Sequence, residues 1–236
     1  MAETLLLLPG LMCDARAFLP QIVSLGRDMP VMIAPISRGD RIEEIASEIL
    51  SAAPARFALA GLSMGGIVAL EILRRAPERV TRIALIATTP LAGTPQEASE
   101  REAWIVAAKS RRLDDAMAAE LRPSYLANTP GRADVLARVA SMWRTMGAET
   151  YVRQARALQR RKDQQATLRK IKQPALVLCG EADTLLPLKR HEFMAELIPY
   201  AQLHVIADAG HLPTLERPTA TTEALRVWMK QPLVLR

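Results

Sequence analysis

The chain has 236 residues, of which 50% are hydrophobic and 24% are charged, and its formal net charge is +6. This is the composition of a folded globular protein, and it excludes disordered and fibrous chains. The length predicts one large domain or one domain with an insert. Two cysteines are too few for a disulfide framework and favour a reducing compartment, so we expect a cytoplasmic protein.

The first residues lack the features of a secretory signal peptide. Glu3 stands where a basic region is expected, and the apolar run Leu5–Leu8 ends at once in Pro9-Gly10. No apolar stretch reaches the length of about 18 residues that a membrane span requires. We therefore expect neither a signal peptide nor a membrane span.

Six short apolar runs predict strands of a parallel sheet buried on both faces, because apolar residues in them are nearly continuous. These runs are Leu5–Leu8, Val31–Ala34, Phe57–Ala60, Arg82–Ala87, Ala175–Cys179 and Leu203–Ala207. Helical patterns at Arg41–Ala52 and Ile67–Ala76 lie between some of them. Alternating strands and helices are typical of an open α/β sheet, which carries its site at the carboxyl ends of the strands.

The middle of the chain breaks this alternation, because residues 91–170 contain no convincing strand. Successive helices are predicted there, at Pro95–Lys109, Asp114–Asn128, Arg132–Met146 and Glu149–Thr167. We expect residues 93–170 to form an all-helical lid inserted before the penultimate strand. Residues 1–92 and 171–236 would then form the core.

The positive charge is concentrated in this middle segment. Between Glu100 and Lys172 there are 16 Lys and Arg against 8 Asp and Glu, whereas the rest of the chain has 15 against 17. A basic segment is compatible with nucleic-acid binding. However, no helix-turn-helix, zinc-binding or RNA-binding signature accompanies it, and solvated helix faces explain the charge. We expect no nucleic-acid partner.

The segment Gly61–Gly66 joins a predicted strand directly to a predicted helix. Such a turn forces its apex residue, Ser63, into a strained conformation, and the flanking glycines remove Cβ atoms that would clash. The serine then projects from the sheet edge above a helix N-terminus, which favours developing negative charge. The alternative is a structural turn with an incidental serine. Strand, turn and helix together favour Ser63 as a nucleophile.

The chain at this point resembles the α/β-hydrolase superfamily, and within it the lidded serine-nucleophile branch that includes small esterases and enol-lactone hydrolases. The resemblance covers nearly the whole chain. It is carried by Leu8-Pro9-Gly10-Leu11, Gly61–Gly66, Ala76-Pro77-Glu78-Arg79-Val80, Gly180-Glu181-Ala182-Asp183, and Gly210-His211 followed by Glu216-Arg217-Pro218. It implies a mostly parallel central sheet flanked by helices and a Ser-Asp-His order of catalytic residues.

A serine nucleophile needs a base, and the chain has three histidines. His204 lies inside a predicted strand, where we expect it to pack or to face a helix. His191 lies among charged residues on a helix that we expect to be exposed. His211 lies in a loop just past the last strand, at the expected sheet edge. Both its position and the resemblance favour His211 as the base.

The base in turn needs an anion to orient it. Asp183 follows the strand Ala175–Cys179 and stands at the expected edge of the sheet. Some relatives take the acid from the end of the preceding strand, but residues 87–90 offer no carboxylate there. Asp208 is the alternative, although we expect it to cap local backbone amides. Asp183 is the predicted acid.

The resemblance also implies an oxyanion hole made of two backbone amides. The residue after the nucleophile, Met64, supplies one, and Leu11 in the loop after the first strand supplies the other. Many relatives have His where this chain has Pro9. Backbone donation survives that change, but how the loop is braced stays open.

These residues predict a hydrolase that cleaves carboxylic esters of small or medium, partly apolar substrates through an acyl-enzyme. Carbon–carbon bond hydrolysis, lactone opening or perhydrolysis by the same residues stay open, and so does a non-catalytic ligand-binding relative. Haloalkane dehalogenation is disfavoured, since those relatives carry Asp in place of Ser63. We expect no cofactor and no metal, because three scattered histidines give no ligand spacing. The sequence leaves open the physiological substrate, the oligomeric state and whether the basic lid recognises an anionic group.

Overall fold

In a computed structural model of the chain, residues 3–233 are described. They contain one six-stranded sheet with the strand order β2-β1-β3-β4-β5-β6, in which all neighbouring strands are parallel. The strands are β1 (Leu5–Leu8), β2 (Val31–Ile33), β3 (Phe57–Leu62), β4 (Val80–Ile86), β5 (Ala175–Gly180) and β6 (Ala201–Ile206). The predicted parallel α/β sheet is confirmed.

In the described part of the chain, ten α-helices flank or connect these strands. They are α1 (Leu19–Leu25), α2 (Ile42–Ala52), α3 (Met64–Arg75), α4 (Pro95–Lys109), α5 (Leu113–Glu120), α6 (Arg132–Gln159), α7 (Gln165–Leu168), α8 (Leu188–Leu197), α9 (Pro213–Glu216) and α10 (Pro218–Met229). None of the helices within residues 3–233 is both long and apolar enough to cross a membrane.

The sheet is covered on both faces. Successive side chains of a strand point to opposite faces, so Leu5 and Leu7 pack into one apolar cluster with α1 and α10. Leu6 and Leu8 pack into a second cluster with α2, α3 and α8 on the other face. Every residue of β1, β3 and β5 is buried, as the continuous apolar runs predict.

The expectation of burial on both faces is wrong for the two edge strands, β2 and β6. All three residues of β2 are half-buried, and Leu203 and Val205 of β6 are 36% and 38% exposed. An apolar run does not reveal whether a strand is central or at an edge, because both kinds use similar residues.

Residues 87–174, called here the helical segment, connect β4 to β5 and contain α4 to α7. The predicted helix at Pro95–Lys109 is confirmed, and its capping box at Thr94 and Glu97 explains the sharp start. Two predicted helices are instead one, α6, with a break at Gly147, where φ is +79°. That residues 93–170 act as a lid stays a prediction.

Candidate active site

Ser63 lies at the sharp turn between β3 and α3, in the left-handed region with φ of +52°. The turn is so tight that only glycine fits at the positions two residues before and two residues after Ser63. A Cβ atom on Gly61 would lie 2.3 Å from the carbonyl oxygen of Gly65, and one on Gly65 would lie 2.2 Å from the carbonyl oxygen of Leu8. The strain at Ser63 is therefore imposed by the strand and helix on its two sides.

The backbone of Ser63 is fixed at both of its polar groups. Its amide donates to the carbonyl of Ile86 at 2.8 Å, and its carbonyl accepts from the Thr88 hydroxyl at 2.7 Å. Both partners come from the end of β4 or the residues just after it. The neighbouring strand thus holds the apex of the turn in place.

Three side chains form one continuous chain of hydrogen bonds. Nε2 of His211 lies 2.9 Å from Oγ of Ser63, and Nδ1 of His211 lies 2.9 Å from Oδ2 of Asp183. The other oxygen of Asp183 accepts the amides of Leu185 and Leu186, both at 2.9 Å. His211 and Asp183 are each 3% exposed. The structure therefore brings together the three side chains that the sequence singled out.

The other two histidines lie apart from this chain of hydrogen bonds, and neither is where the sequence indicates. His191 was expected on an exposed helix, but it is fully buried, because it shares the inner face of α8 with Met194. Its ring nitrogens have no hydrogen-bond partner within residues 3–233, and burial lowers its pKa to about 4. His204 was expected to pack, but it is exposed on the edge strand β6.

Asp208, the alternative acid, is also placed differently from the expectation. Its carboxylate lies 3.2 Å from the guanidinium of Arg217 and accepts no backbone amide among the described residues. The side chain is 72% exposed. Asp208 therefore neither caps local amides nor contacts His211.

Leu11 and Met64 line the same cavity as Ser63. Leu11 lies in the loop after β1, and Met64 is the first residue of α3. Within the described part of the chain, neither amide donates to an acceptor. Neither N–H group is thus paired within the described fold.

The cavity has a volume of about 310 Å³ and lies between the carboxyl edge of the sheet and the helical segment. Its apolar lining includes Leu11, Met64, Trp104, Met117 and Leu186. Cys13 also borders it, and burial raises the pKa of this thiol to about 12. Cys13 therefore stays protonated, whereas the hydroxyl of Ser63 contacts the imidazole of His211.

The wall formed by the helical segment also contains buried charges. The guanidinium of Arg101 donates to both carboxylate oxygens of Glu120 at 3.0 and 3.1 Å, and the hydroxyl of Tyr151 donates to Glu120 at 3.0 Å. Burial by itself would lower the pKa of Arg101, but the attraction of Glu120 raises it overall. The sequence gives no signal for this pair, because its partners lie on different helices.

Two polar side chains that sequence reasoning missed hold the loops around the site. Glu216 accepts the amides on both sides of His211: Gly210 at 2.9 Å and Leu212 at 2.8 Å. It also accepts the amide of Ala127, from the helical segment, at 2.8 Å. Glu216 belongs to a motif singled out in the sequence, but its bonds depend on tertiary structure. The second side chain is Gln154, on α6, whose Oε1 accepts a hydrogen bond from the amide of Met12 at 2.8 Å.

Comparisons with known proteins agree with this architecture. A family model described as the alpha/beta hydrolase family matches residues 5–224. The pimeloyl-[acyl-carrier protein] methyl ester esterase of Aromatoleum aromaticum is 31% identical in an alignment of 196 residues that covers 77% of this chain and 77% of that one. A poly(3-hydroxyalkanoate) depolymerase of Ectopseudomonas oleovorans is 32% identical over 173 residues, covering 72% of this chain and 60% of that one.

Among solved structures, a thermophilic esterase from Thermogutta terrifontis superposes with a TM-score of 0.86 at 25% identity, covering 98% of this chain and 90% of that one. The enol-lactonase from Burkholderia xenovorans superposes with a TM-score of 0.85 at 24% identity, covering 98% and 92%. The second likeness shows the fold alone. With the family match over most of its length and relatives named as esterases, the chain is a hydrolase and belongs to the alpha/beta hydrolase family.

Proposed function

We propose that the chain hydrolyses carboxylic esters through an acyl-enzyme on Ser63. Oγ of Ser63 attacks the ester carbonyl carbon while its proton passes to Nε2 of His211. The tetrahedral intermediate collapses, the ester C–O bond breaks, and His211 returns the proton to the leaving alcohol. Water then gives a proton to His211 and attacks the acyl carbon. The second tetrahedral intermediate collapses, the bond between the acyl carbon and Oγ of Ser63 breaks, and His211 returns the proton to Oγ as the acid leaves.

The observation that carries this proposal is the hydrogen-bond chain from Ser63 to Asp183. Since Leu185 and Leu186 donate to one oxygen of Asp183, the other oxygen is left to face Nδ1 of His211. That contact keeps the proton on Nδ1, so Nε2 is the acceptor for the serine proton. The imidazolium that forms is stabilised by the same carboxylate.

The amides of Leu11 and Met64 are the proposed oxyanion hole. Neither amide donates to an acceptor among residues 3–233, and both residues line the cavity at Ser63. Met64 also begins α3, a 12-residue helix whose dipole places partial positive charge at this end. These donors favour the intermediate over the substrate because negative charge develops only in the reaction.

The cavity suggests the substrate class. Its volume of about 310 Å³ and its mainly apolar lining suit a small or medium ester with an apolar part. The helical segment supplies much of the lining, including Trp104 and Met117, so residues 93–170 are the proposed lid. The names of the esterase relatives support carboxylic esters as substrates.

Hydrolysis of p-nitrophenyl acetate and butyrate by the parent chain and by Ser63→Ala tests the proposal. Loss of such a nucleophile lowers turnover by about 10⁶-fold. Ser51→Ala, which changes an exposed serine on α2, is the matched control and retains activity. Equal turnover by the parent and Ser63→Ala would contradict the proposal.

A further inference from the structure

Gln154 joins two distant parts of the chain beside the proposed oxyanion hole. Its side chain is fully buried on α6. Oε1 accepts the amide of Met12 at 2.8 Å, and Nε2 donates to the carbonyl of Ile36 at 3.0 Å. A single side chain of the helical segment is thus bonded to the segment after β1 and to the segment after β2.

Met12 lies in a tight turn that also contains Leu11. The amide of Cys13 donates to the carbonyl of Gly10 at 3.1 Å, which closes the turn. Met12 has φ of +51°, and Leu11 is not among the non-glycine residues with positive φ. This is the pattern of a type II turn, whose third position favours Gly or Asn. Methionine is strained there.

A type I turn would relieve this strain, because both of its central residues have negative φ. The two turn types differ by a flip of the peptide between Leu11 and Met12. In the flipped form the carbonyl of Leu11 replaces the amide of Met12 and faces Oε1 of Gln154, which is also an acceptor. The side chain cannot simply rotate to match, because Ile36 needs Nε2 where it is.

We propose that Gln154 is a positioning residue for ester hydrolysis: by bonding Met12 to α6 and to the segment after β2, it holds the strained Gly10–Cys13 turn in place, and with it the adjacent Leu11 amide at the cavity. This inference rests on the proposed function. Gln154 would thereby fix the loop after β1, in which Pro9 stands where many relatives have His. Gln154 belongs to the helical segment, so that segment contributes to the reaction as well as to the cavity wall.

Gln154→Met tests the inference, because methionine fills a similar volume without either polar atom. We expect kcat to fall about ten- to a hundredfold, somewhat less than for complete loss of an oxyanion donor. KM stays within about threefold, since the substrate carbonyl carries little charge before attack. Affinity for a trifluoromethyl ketone, which forms an oxyanion on Ser63, falls by the same factor as kcat/KM.

Two further variants separate positioning from stability. Gln154→Glu keeps an acceptor for Met12, and its fully buried carboxyl takes up a proton and can donate to Ile36, so its kcat recovers to within about fivefold of the parent. Gln159→Met changes another glutamine of α6, which donates to the carbonyl of Ala98 away from the turn, and it leaves kcat and ketone affinity unchanged. If Gln154→Met does not fold, Gln154→Glu decides: loss of about a hundredfold or more in its kcat overturns the inference.

Failure of this inference is distinguishable from failure of the proposed function. Turnover that depends on Ser63, combined with parental kcat and ketone affinity in a folded Gln154→Met, overturns the role of Gln154 alone. Absence of Ser63-dependent turnover in the parent chain overturns both.

Discussion

The two sides of the cavity are built in different ways. On the sheet side, Ser63, Asp183 and His211 follow the ends of β3, β5 and β6, and backbone amides fix the turns that carry them. On the side of the helical segment, pairs of charged side chains join the helices. These pairs include Arg101 with Glu120, Arg161 with Glu97, and Arg156 with Glu102.

This difference separates the residues proposed to carry out the reaction from those that shape the cavity. A sheet of buried parallel strands sets the reacting groups through its backbone, so a change of one side chain there should affect the chemistry more than the fold. In the helical segment a buried charge depends on its partner, so a single change there should affect the fold more than the chemistry.

The largest effect is expected for Asp183→Asn, on the sheet side. The new amide keeps its oxygen toward Leu185 and Leu186, so its NH₂ group faces Nδ1 of His211. The imidazole then carries its proton on Nε2 and cannot accept the serine proton, and kcat falls about 10⁴-fold. Asp208→Asn, at the exposed alternative, keeps parental kcat in the same ester assay. Equal losses in the two variants would contradict this assignment.

Arg101→Gln tests the opposite side. Removing one partner of a buried ion pair leaves Glu120 without its counter-charge, which lowers the free energy of unfolding by about 3–5 kcal/mol. The turnover of the folded fraction changes far less than in Asp183→Asn. Arg144→Gln breaks an exposed pair with Asp114 on the same segment and lowers that free energy by less than about 1 kcal/mol. Urea unfolding measures the free energy of unfolding of both variants. Similar losses in the two would contradict the distinction between buried and exposed ion pairs.

Glu216→Gln tests the connection between the two sides. Three amides donate to the two oxygens of Glu216, and a glutamine offers only one acceptor oxygen. Loss of hydrogen bonds to a charged group costs about 1.5–3 kcal/mol, which lowers kcat about ten- to a hundredfold if the His211 loop shifts. Glu223→Gln, which affects an exposed pair with Arg226, is the control. Parental kcat in Glu216→Gln would show that the loop holds its position without the carboxylate.

The smallest effect is expected for His191→Leu and concerns stability in acid. The pKa of His191 is lowered by burial from 6.5 to about 4, while Asp183 and His211, which lie nearby, act on it in opposite directions. Between these values the unfolded chain binds a proton that the folded chain excludes, so stability falls as the pH falls. From pH 7 to pH 5 this group alone removes about 2 kcal/mol, and His191→Leu abolishes that loss. His204→Gln, at an exposed histidine, keeps the parental pH dependence; an unchanged pH dependence in His191→Leu would contradict the burial argument.

Sequence alone predicts the sheet side well because its geometry is local. Ser63 is placed by a strand–turn–helix pattern, and Asp183 and His211 by their positions just after predicted strands. Parallel strands end at one edge of the sheet, so these positions converge without further information. The resemblance to the α/β-hydrolase superfamily adds Leu11 and Met64, and both residues line the cavity.

The features of the site that the sequence does not predict depend on contacts between residues distant in sequence. Gln154 and Met12 are 142 residues apart, and nothing near either one marks the bond between them. His191 looked exposed because its sequence neighbours are charged, but its spacing of three residues from Met194 places both on the inner face of α8. The charge of the neighbouring residues does not show which residues of a helix face the interior, so it misses a buried position such as His191.

The most direct test of the central claim is covalent labelling with a fluorophosphonate, followed by mass spectrometry of the peptide that contains Gly61–Gly66. The account predicts one phosphonyl group per chain, bonded to Ser63, with labelling abolished in Ser63→Ala and much slower in Asp183→Asn. A folded chain that takes up no label at Ser63, or takes it up on Cys13, would contradict the assignment of Ser63 as the nucleophile.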